Sequence, residues 1–481
     1  MSHPSSPTRA SVGLRSERGP ILGSLMLGTS LIALDATILA TAVPSVVGTL
    51  GGFSQFPWLF SIYVLAQAVS VPIYGKLSDQ IGRKPIMLFG IGVFVLGSIL
   101  CGLAWSMPAL IIFRAVQGLG AGAIGPMAMT IIGDIYSVAE RAKVQGYTAS
   151  VWGVSSVVGP TLGGVFTDFV SWRAIFWVNI PLGAIAGWML WRHFHESVTT
   201  TRHKIDFAGA AALAIGASMI ILGLLEGGVL WDWLSLPSIL IFLGGLATLV
   251  AFVIIERRAA EPVLPGWAFG RRIFNGVYIA AMTIGVLTLG LSSYVPMYVQ
   301  DVLGKSALIA GFALAGQSIG WPLAASQSGR LFLRIGFRNT ALIGGGFALL
   351  GALSLLLVSP GSTPLQVGLS CALVGVGLGL ISSPTLVAAQ SVVDWQQRGV
   401  ITATNMFARS MGSAVGTAVF GAIANASIGG PPVTDNGSTN SGVAPLVLSN
   451  AIHNVFLASV VVSAIMLVAV LVIPRHITTK S

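Results

Sequence analysis

Between Arg338 and Asp394 the chain carries no charged residue. A soluble domain, roughly a quarter charged, has no surface on which to place such a run. The pattern extends along the chain: 54% of the 481 residues are hydrophobic and only 8% are charged. Disorder is excluded, because it requires low hydrophobicity and high net charge. The 60 glycines follow no period of three, which excludes a collagen-like chain. Transmembrane barrels alternate apolar and polar residues, whereas these apolar runs are continuous. The remaining class is an all-α polytopic membrane protein.

A helix needs about 20 apolar residues to cross the hydrocarbon core. Dividing the runs at charges, Gly/Pro clusters and tryptophans predicts fourteen spans, near 21–49, 57–79, 86–105, 109–132, 143–168, 173–191, 207–228, 237–256, 272–299, 306–332, 339–359, 364–390, 399–425 and 451–474. Two of the cuts fall in charge-free sequence, at Gly51-Gly52-Phe53-Ser54 and Ser359-Pro360-Gly361-Ser362. Basic residues test the count, since they concentrate on the cytoplasmic side. With the N-terminus inside, 21 of the 25 Lys and Arg fall on that side. Arg173 and Lys305 fall outside, and Arg114 and Arg409 fall within spans. Both termini are therefore expected in the cytoplasm. This placement accounts for the net charge of +10 without a nucleic-acid partner. Trp58, Trp105, Trp172, Trp191, Trp231, Trp233, Trp267 and Trp395 fall near span ends, as an interfacial belt should.

Residues 1–20 are polar and basic and read as a cytoplasmic disordered tail leading into a retained helix, with a second tail at 476–481. The outer loop 426–450 is rich in Gly, Ser, Asn and Pro and reads as a connector; its Asn436-Gly437-Ser438 sequon is expected by chance there. Cys101 and Cys371 lie in separate apolar stretches, so no disulfide framework is expected.

The loop Gly75-Lys76-Leu77-Ser78-Asp79-Gln80-Ile81-Gly82-Arg83-Lys84 recurs as Gly329-Arg330-Leu331-Phe332-Leu333-Arg334-Ile335-Gly336-Phe337-Arg338, with Leu333 in place of Asp79. These loops align if 21–192 and 271–475 are six-helix bundles and 193–270 supplies two additional helices, an arrangement of 6+2+6. Parallel repeats of this kind build transporters with a site between the halves.

These residues resemble the major facilitator superfamily, in particular its fourteen-helix drug:proton antiporters. Gly75 to Lys84 matches the superfamily loop signature at every fixed position. Phe113-Arg114-x-x-Gln117-Gly118-x-Gly120-x-Gly122 is similar to the fourth-helix motif. Gly153, Gly159, Pro160, Gly163 and Gly164 match the fifth-helix motif of antiporters. Leu34-Asp35-x-Thr37-Ile38 with Pro44 resembles the first-helix motif, with Ala40 where the group usually has Asn. Arg409 followed by Gly412 and Gly416 resembles a thirteenth-helix pattern.

Asp35 is the one carboxylate near the middle of a span. Burial penalises its charged form, which suits a group that takes up and releases a proton. Arg114 lies at matching depth, so pairing with Asp35 is expected, and a switch between paired and unpaired states would load and unload the proton. Gly159-Pro160 removes a helix hydrogen bond and permits a bend, while Gly163 and Gly164 allow close approach; a hinge or seal for alternating access is expected. Gly75, Asp79, Gly82, Arg83 and Lys84 reach Asp134 and Arg141 at the foot of the fourth helix, and the resemblance implies a cytoplasmic latch there. Arg409 needs an acceptor, which backbone carbonyls, Gln317, Asn405 or an anionic substrate group would each supply. In the resembling fold, Thr37, Tyr63, Gln67, Gln117, Trp152, Tyr294, Gln317 and Asn405 come from helices that face the central cavity.

No intramembrane cluster of His, Asp and Glu suggests an enzyme, and no phosphate-binding Gly-x4-Gly-Lys-[Ser/Thr] loop suggests ATP-driven transport. The expectation is a proton-coupled exporter of amphipathic small molecules in the bacterial inner membrane. It would act as a monomer, without cofactor or metal, driven by the proton gradient. The alternatives are a dedicated exporter of one metabolite or lipid, possibly anionic, and a non-transporting sensor.

Overall fold

The structure, a computed structural model, describes residues 13–136, 138–196, 206–259, 262, 264, 266–393, 398–428 and 443–475. A few side chains inside helices, those of Lys76, Asp79 and Arg141 among them, lie outside this described set. The fold is all-helical. The first six long helices are α1 (Gly19–Leu50), α2 (Trp58–Ile81), α3 (Arg83–Gly102), α4 (Met107–Ile135), α5 (Val138–Phe169) and α6 (Ala174–His193). Two more follow, α7 (Phe207–Glu226) and α8 (Leu236–Arg258). The last six are α9 (Arg272–Val302), α10 (Ala307–Ile335), α11 (Phe337–Leu356), α12 (Pro364–Gln390), α13 (Arg398–Ile428) and α14 (Pro445–Val472).

Both expected cuts in charge-free sequence have a local cause. After Leu50, Gly51 and Gly52 adopt φ of 70° and 73°, a left-handed backbone that ends a helix at little cost only with glycine. Between α11 and α12, Pro364 opens the new helix and Thr363 forms a reciprocal capping box with Gln366. The repeated loops also share one backbone device. Gly82 and Gly336 stand at φ/ψ of 98/158° and 86/161°, a region essentially reserved for glycine. Each turns one span directly into the next.

Thirteen of the described helices are long and apolar enough to cross a membrane by length and composition. The exception is α5, which has the length, at 32 residues, but carries Glu140 and several Ser, Thr and Gly. It is shielded by packing: α5 lies along α1 on one side and α10 on the other.

Packing repeats the sequence symmetry. In the first six helices α3 and α2 pack on α4, and α1 packs on α5 and α6; in the last six α11 and α10 pack on α12, and α9 packs on α13 and α14. The two sets meet through α5 against α10 and α2 against α13, the same pair of equivalent helices exchanged. Helices α7 and α8 pack on each other, and α7 reaches α2 and α13. Only 17% of α8's apolar window is buried, which places it at the periphery.

Fourteen passes put the start of α1 and the end of α14 at one end of the bundle, called proximal here; the other is distal. The largest apolar cluster joins the halves distally. Ile38, Val43, Phe53 and Phe56 meet Leu291, Tyr294, Tyr298 and Phe456 there. Ser61 Oγ donates to the Ala414 carbonyl at 2.9 Å, Asn425 Nδ2 to the Ser54 carbonyl at 3.1 Å and Gln300 Nε2 to the Thr41 carbonyl at 3.1 Å. The distal contacts also include the added helices: Glu226, at the end of α7, accepts from Trp58 Nε1 at 3.1 Å.

Candidate functional site

Asp35 sits about midway along α1 and is 1% exposed, as is Arg114 on α4. They form an ion pair, Arg114 Nη1 to Asp35 Oδ2, at 2.6 Å. Gln117, one turn beyond Arg114, closes the arrangement: its Nε2 donates to Asp35 Oδ1 at 2.7 Å and its Oε1 accepts from Arg114 Nη1 at 2.6 Å. Both carboxylate oxygens are thus satisfied, as burial of a charged pair requires. Arg114 also has neutral supports. Its Nε donates to the Leu59 carbonyl at 3.1 Å, and its guanidinium carbon lies 4.1 Å from the centre of the Tyr63 ring. The network continues from Gln117 Nε2 to Ser98 Oγ at 2.8 Å, which also accepts from Asn179 Nδ2 at 3.3 Å.

The close approach of these helices depends on glycines, Gly97 on α3 and the motif's Gly118 on α4. A Cβ at Gly97 would meet the backbone of Gln117, and one at Gly118 the Tyr63 carbonyl. Helix α1 carries the network's position onward. Thr37 Oγ1 donates to the Ser155 carbonyl of α5 at 3.0 Å, and Thr41, whose carbonyl accepts from α9, stands one turn later. Gly159 and Gly163 press against Thr37 and Thr41, whereas Gly164 lies against the backbone of Leu308 and Gly311 against that of Pro160. The fifth-helix glycines therefore serve two contacts, α5 with α1 and α5 with α10. Gly153 has open space at its Cβ.

At the proximal end Arg83 Nε pairs with Asp134 at 3.3 Å, and Gly82 supplies the turn beside it. Asp79 and Arg141 lie outside the described side chains. Gly75 has no close neighbour at its Cβ. The main acceptor is Glu196, past the end of α6, which sequence reading missed. Its carboxylate accepts from the Arg83 backbone N–H at 2.8 Å, the Lys84 N–H at 3.1 Å and Arg83 Nη1 at 3.3 Å. A carboxylate on the first N–H groups of α3 is favoured by the helix dipole; the missing signal is that Glu196 follows a span end distant in sequence. Lys84 Nζ donates to the Trp191 carbonyl at 2.9 Å.

The remaining residues divide by environment. Tyr63 and Gln117 are buried in the ion-pair network. Tyr294 is fully buried with its ring edge-on to Phe56, and its hydroxyl has no partner; Gln317 is buried with both amide atoms unpartnered. Gln67 and Asn405 are half-buried, and Trp152 is exposed on α5. Arg409 is exposed, and no hydrogen bond or ion pair joins it to another residue among those described. No group of three His, Cys, Asp or Glu that could hold a metal occurs among the described residues.

This arrangement of repeated bundles with a buried charge network can be compared with known proteins. Residues 25–417 match the Major Facilitator Superfamily. The chain belongs to that superfamily. It is 38% identical over 403 residues to multidrug resistance protein 3 of Bacillus subtilis, covering 84% of this chain and 78% of the relative. It is 34% identical over 422 residues to the multidrug transporter protein MdtP of the same organism, covering 87% and 77%. Among solved major facilitator structures, an inward-facing, unoccupied bacterial homologue of the human lysosomal transporter Spinster aligns with a TM-score of 0.67 at 15% identity, covering 95% of this chain and 96% of that one. As a major facilitator protein the chain is a membrane transporter, not an enzyme, and its relatives place it among efflux transporters.

Proposed function

We propose that the protein is a proton-coupled antiporter that exports amphipathic small molecules by alternating access. The observation that carries this reading is the buried Asp35–Arg114–Gln117 network. A proton arriving at Asp35 removes the charge that holds Arg114. Arg114 then keeps the Leu59 carbonyl, Gln117 Oε1 and the Tyr63 ring as neutral supports, so either state of the pair is tolerated. Asp35 lies on the helix whose next two turns contact α5 and α9. A shift of α1 on protonation therefore bears on the distal closure. The salt bridges of Arg83 at the proximal end would hold the first bundle together as the halves rock. The names of the Bacillus subtilis relatives support multidrug efflux. The basic-residue split supports a proximal end on the cytoplasmic side of a bacterial plasma membrane, and the presence of both six-helix bundles in one chain supports action as a monomer.

The test is substrate-driven proton release in everted membrane vesicles, comparing wild type with Asp35→Asn across lipophilic cations, neutral drugs and organic anions. The expected result is release by wild type for at least one compound and none by Asp35→Asn. Equal release by both proteins would move proton coupling away from Asp35.

A further inference from the structure

The exposed arginines at the proximal end differ in their surroundings. Helix α8 ends on Arg257 and Arg258, and α9 is entered through Arg271 and Arg272; all four are exposed. No hydrogen bond or ion pair joins Arg257, Arg258 or Arg272 to another described residue. Arg271 gives one donor to the Val392 carbonyl at 3.0 Å, out of the five that a guanidinium carries. The nearest acid in sequence is engaged elsewhere: Glu256 accepts from the Leu264 N–H at 3.0 Å and lies against Gly209 near the start of α7.

The Leu264 bond also draws the two arginine pairs toward each other. It folds the chain after α8 back onto the helix end, where Leu264 joins an apolar cluster with Phe252 of α8 and Phe407 of α13. Two residues on, Gly266–Phe269 forms a single helical turn, with Ala268 buried in one cluster with Phe274 and Val277 of α9. From Leu264 to Arg271 the chain then spans at most about 20 Å. Trp267 and Phe269 flank the buried Ala268, and each is 42% exposed. Aromatic rings held outward beside span ends suit the boundary between headgroups and acyl chains.

An apolar track runs up to the first pair. Gly245 and Phe252 are buried on one face of α8, whereas Leu243, Leu246, Val250 and Val253 are exposed and follow one another at helical spacing up to Arg257. In a chain that crosses a bilayer, this face meets acyl chains. Unpaired basic groups above an acyl track, beside interfacial aromatics, complement a lipid with a negative headgroup. We propose that this surface binds an anionic phospholipid of the proximal leaflet, its headgroup on the two arginine pairs and its acyl chains along α8. A lipid held there fastens the linker between the added helices and the second bundle to the membrane. The site is independent of the export reading above.

The probes are phosphatidylglycerol and a phosphatidylcholine with the same acyl chains, titrated into the purified full chain in neutral detergent. Bound lipid is counted by native mass spectrometry. The expected result is wild-type preference for phosphatidylglycerol of about tenfold or more. Arg257→Gln/Arg258→Gln weakens phosphatidylglycerol at least about fivefold and leaves phosphatidylcholine within about twofold. Arg271→Gln/Arg272→Gln does the same; if it does not fold, the first pair, which holds no contact among the described residues, carries the test. Arg330→Gln/Arg334→Gln removes as much exposed charge at the proximal end of α10 and leaves the phosphatidylglycerol affinity within about twofold. Excess inorganic phosphate at matched ionic strength does not displace the lipid. Equal binding of the two lipids by wild type, an unaltered affinity in Arg257→Gln/Arg258→Gln, or an equal loss in Arg330→Gln/Arg334→Gln would each overturn the proposal. Displacement by phosphate would overturn it too, by making the surface a site for free anions.

Discussion

At the scale of single residues, the Asp35 network shows which interactions the chain depends on. Removing one partner of a buried pair leaves an unpaired charge at a cost of about 3–5 kcal/mol. Arg114→Ala should therefore lower the stability of the purified protein by roughly that amount, read as a drop in unfolding temperature. Asp35→Asn should cost less, because Arg114 keeps the Leu59 carbonyl, Gln117 and the Tyr63 ring. The double variant Asp35→Asn/Arg114→Ala should be more stable than Arg114→Ala, since no unpaired charge remains. A double variant as unstable as the sum of the singles would show that the two residues act independently. Asp35 and Arg114 were legible in sequence because membrane charge is rare enough to announce itself. Gln117 was legible as a polar residue but not as a ligand of the pair, because a glutamine on a helix gives no sign of which way it points. Tyr63 was likewise legible only as a candidate cavity residue, because its ring supports Arg114 from α2, a separate helix whose facing the sequence does not give.

At the scale of helices, spacing and punctuation predicted the elements well, including breaks where no charge marked them. The reason is local: glycines that need positive φ and a proline with a capping threonine act within a few residues. What the sequence hid was partnership. One motif, Gly159 to Gly164, serves two helices, and only the fold separates the members. Gly159 meets the Thr37 side chain of the same half, while Gly164 meets the Leu308 backbone of the other. The two positions should then respond differently. Gly159→Ala pushes on a side chain and should cost stability. Gly164→Val pushes on backbone across the distal closure and should shift the population toward a distally open form. The check is the spin-label distance between α5 and α10 at the distal end, measured by electron resonance. It should lengthen by several ångströms in Gly164→Val and stay fixed in Gly159→Ala; lengthening in both would mean that the motif acts as one packing stripe.

At the scale of the whole molecule, the named contacts between the halves are distal, and the salt bridges named at the proximal end lie within the first half. Arg83 meets Asp134 and Glu196, and Arg18 meets Glu140. A bundle clasped at one end opens at the other. Exposure along the helices agrees: Trp152 on α5 and Met406 on α13, both toward the proximal end, are nearly half exposed. By contrast Phe56 and Tyr294, in the distal cluster, are nearly inaccessible. Cysteine labelling reads this asymmetry directly, because Cys101 and Cys371 are both buried and give a quiet background. A membrane-impermeant maleimide should modify Met406→Cys in everted vesicles at least about tenfold faster than Phe56→Cys, following the accessibility of the open end. In right-side-out vesicles both should be slow while the distal cluster is closed. The same pair also tests orientation. Fast labelling of Met406→Cys from the everted side alone would place the open end, with the start of α1 and the end of α14, on the cytoplasmic side, the orientation that the distribution of basic residues predicts. Labelling from the opposite side alone would invert that topology and place the open end on the outer side of the membrane.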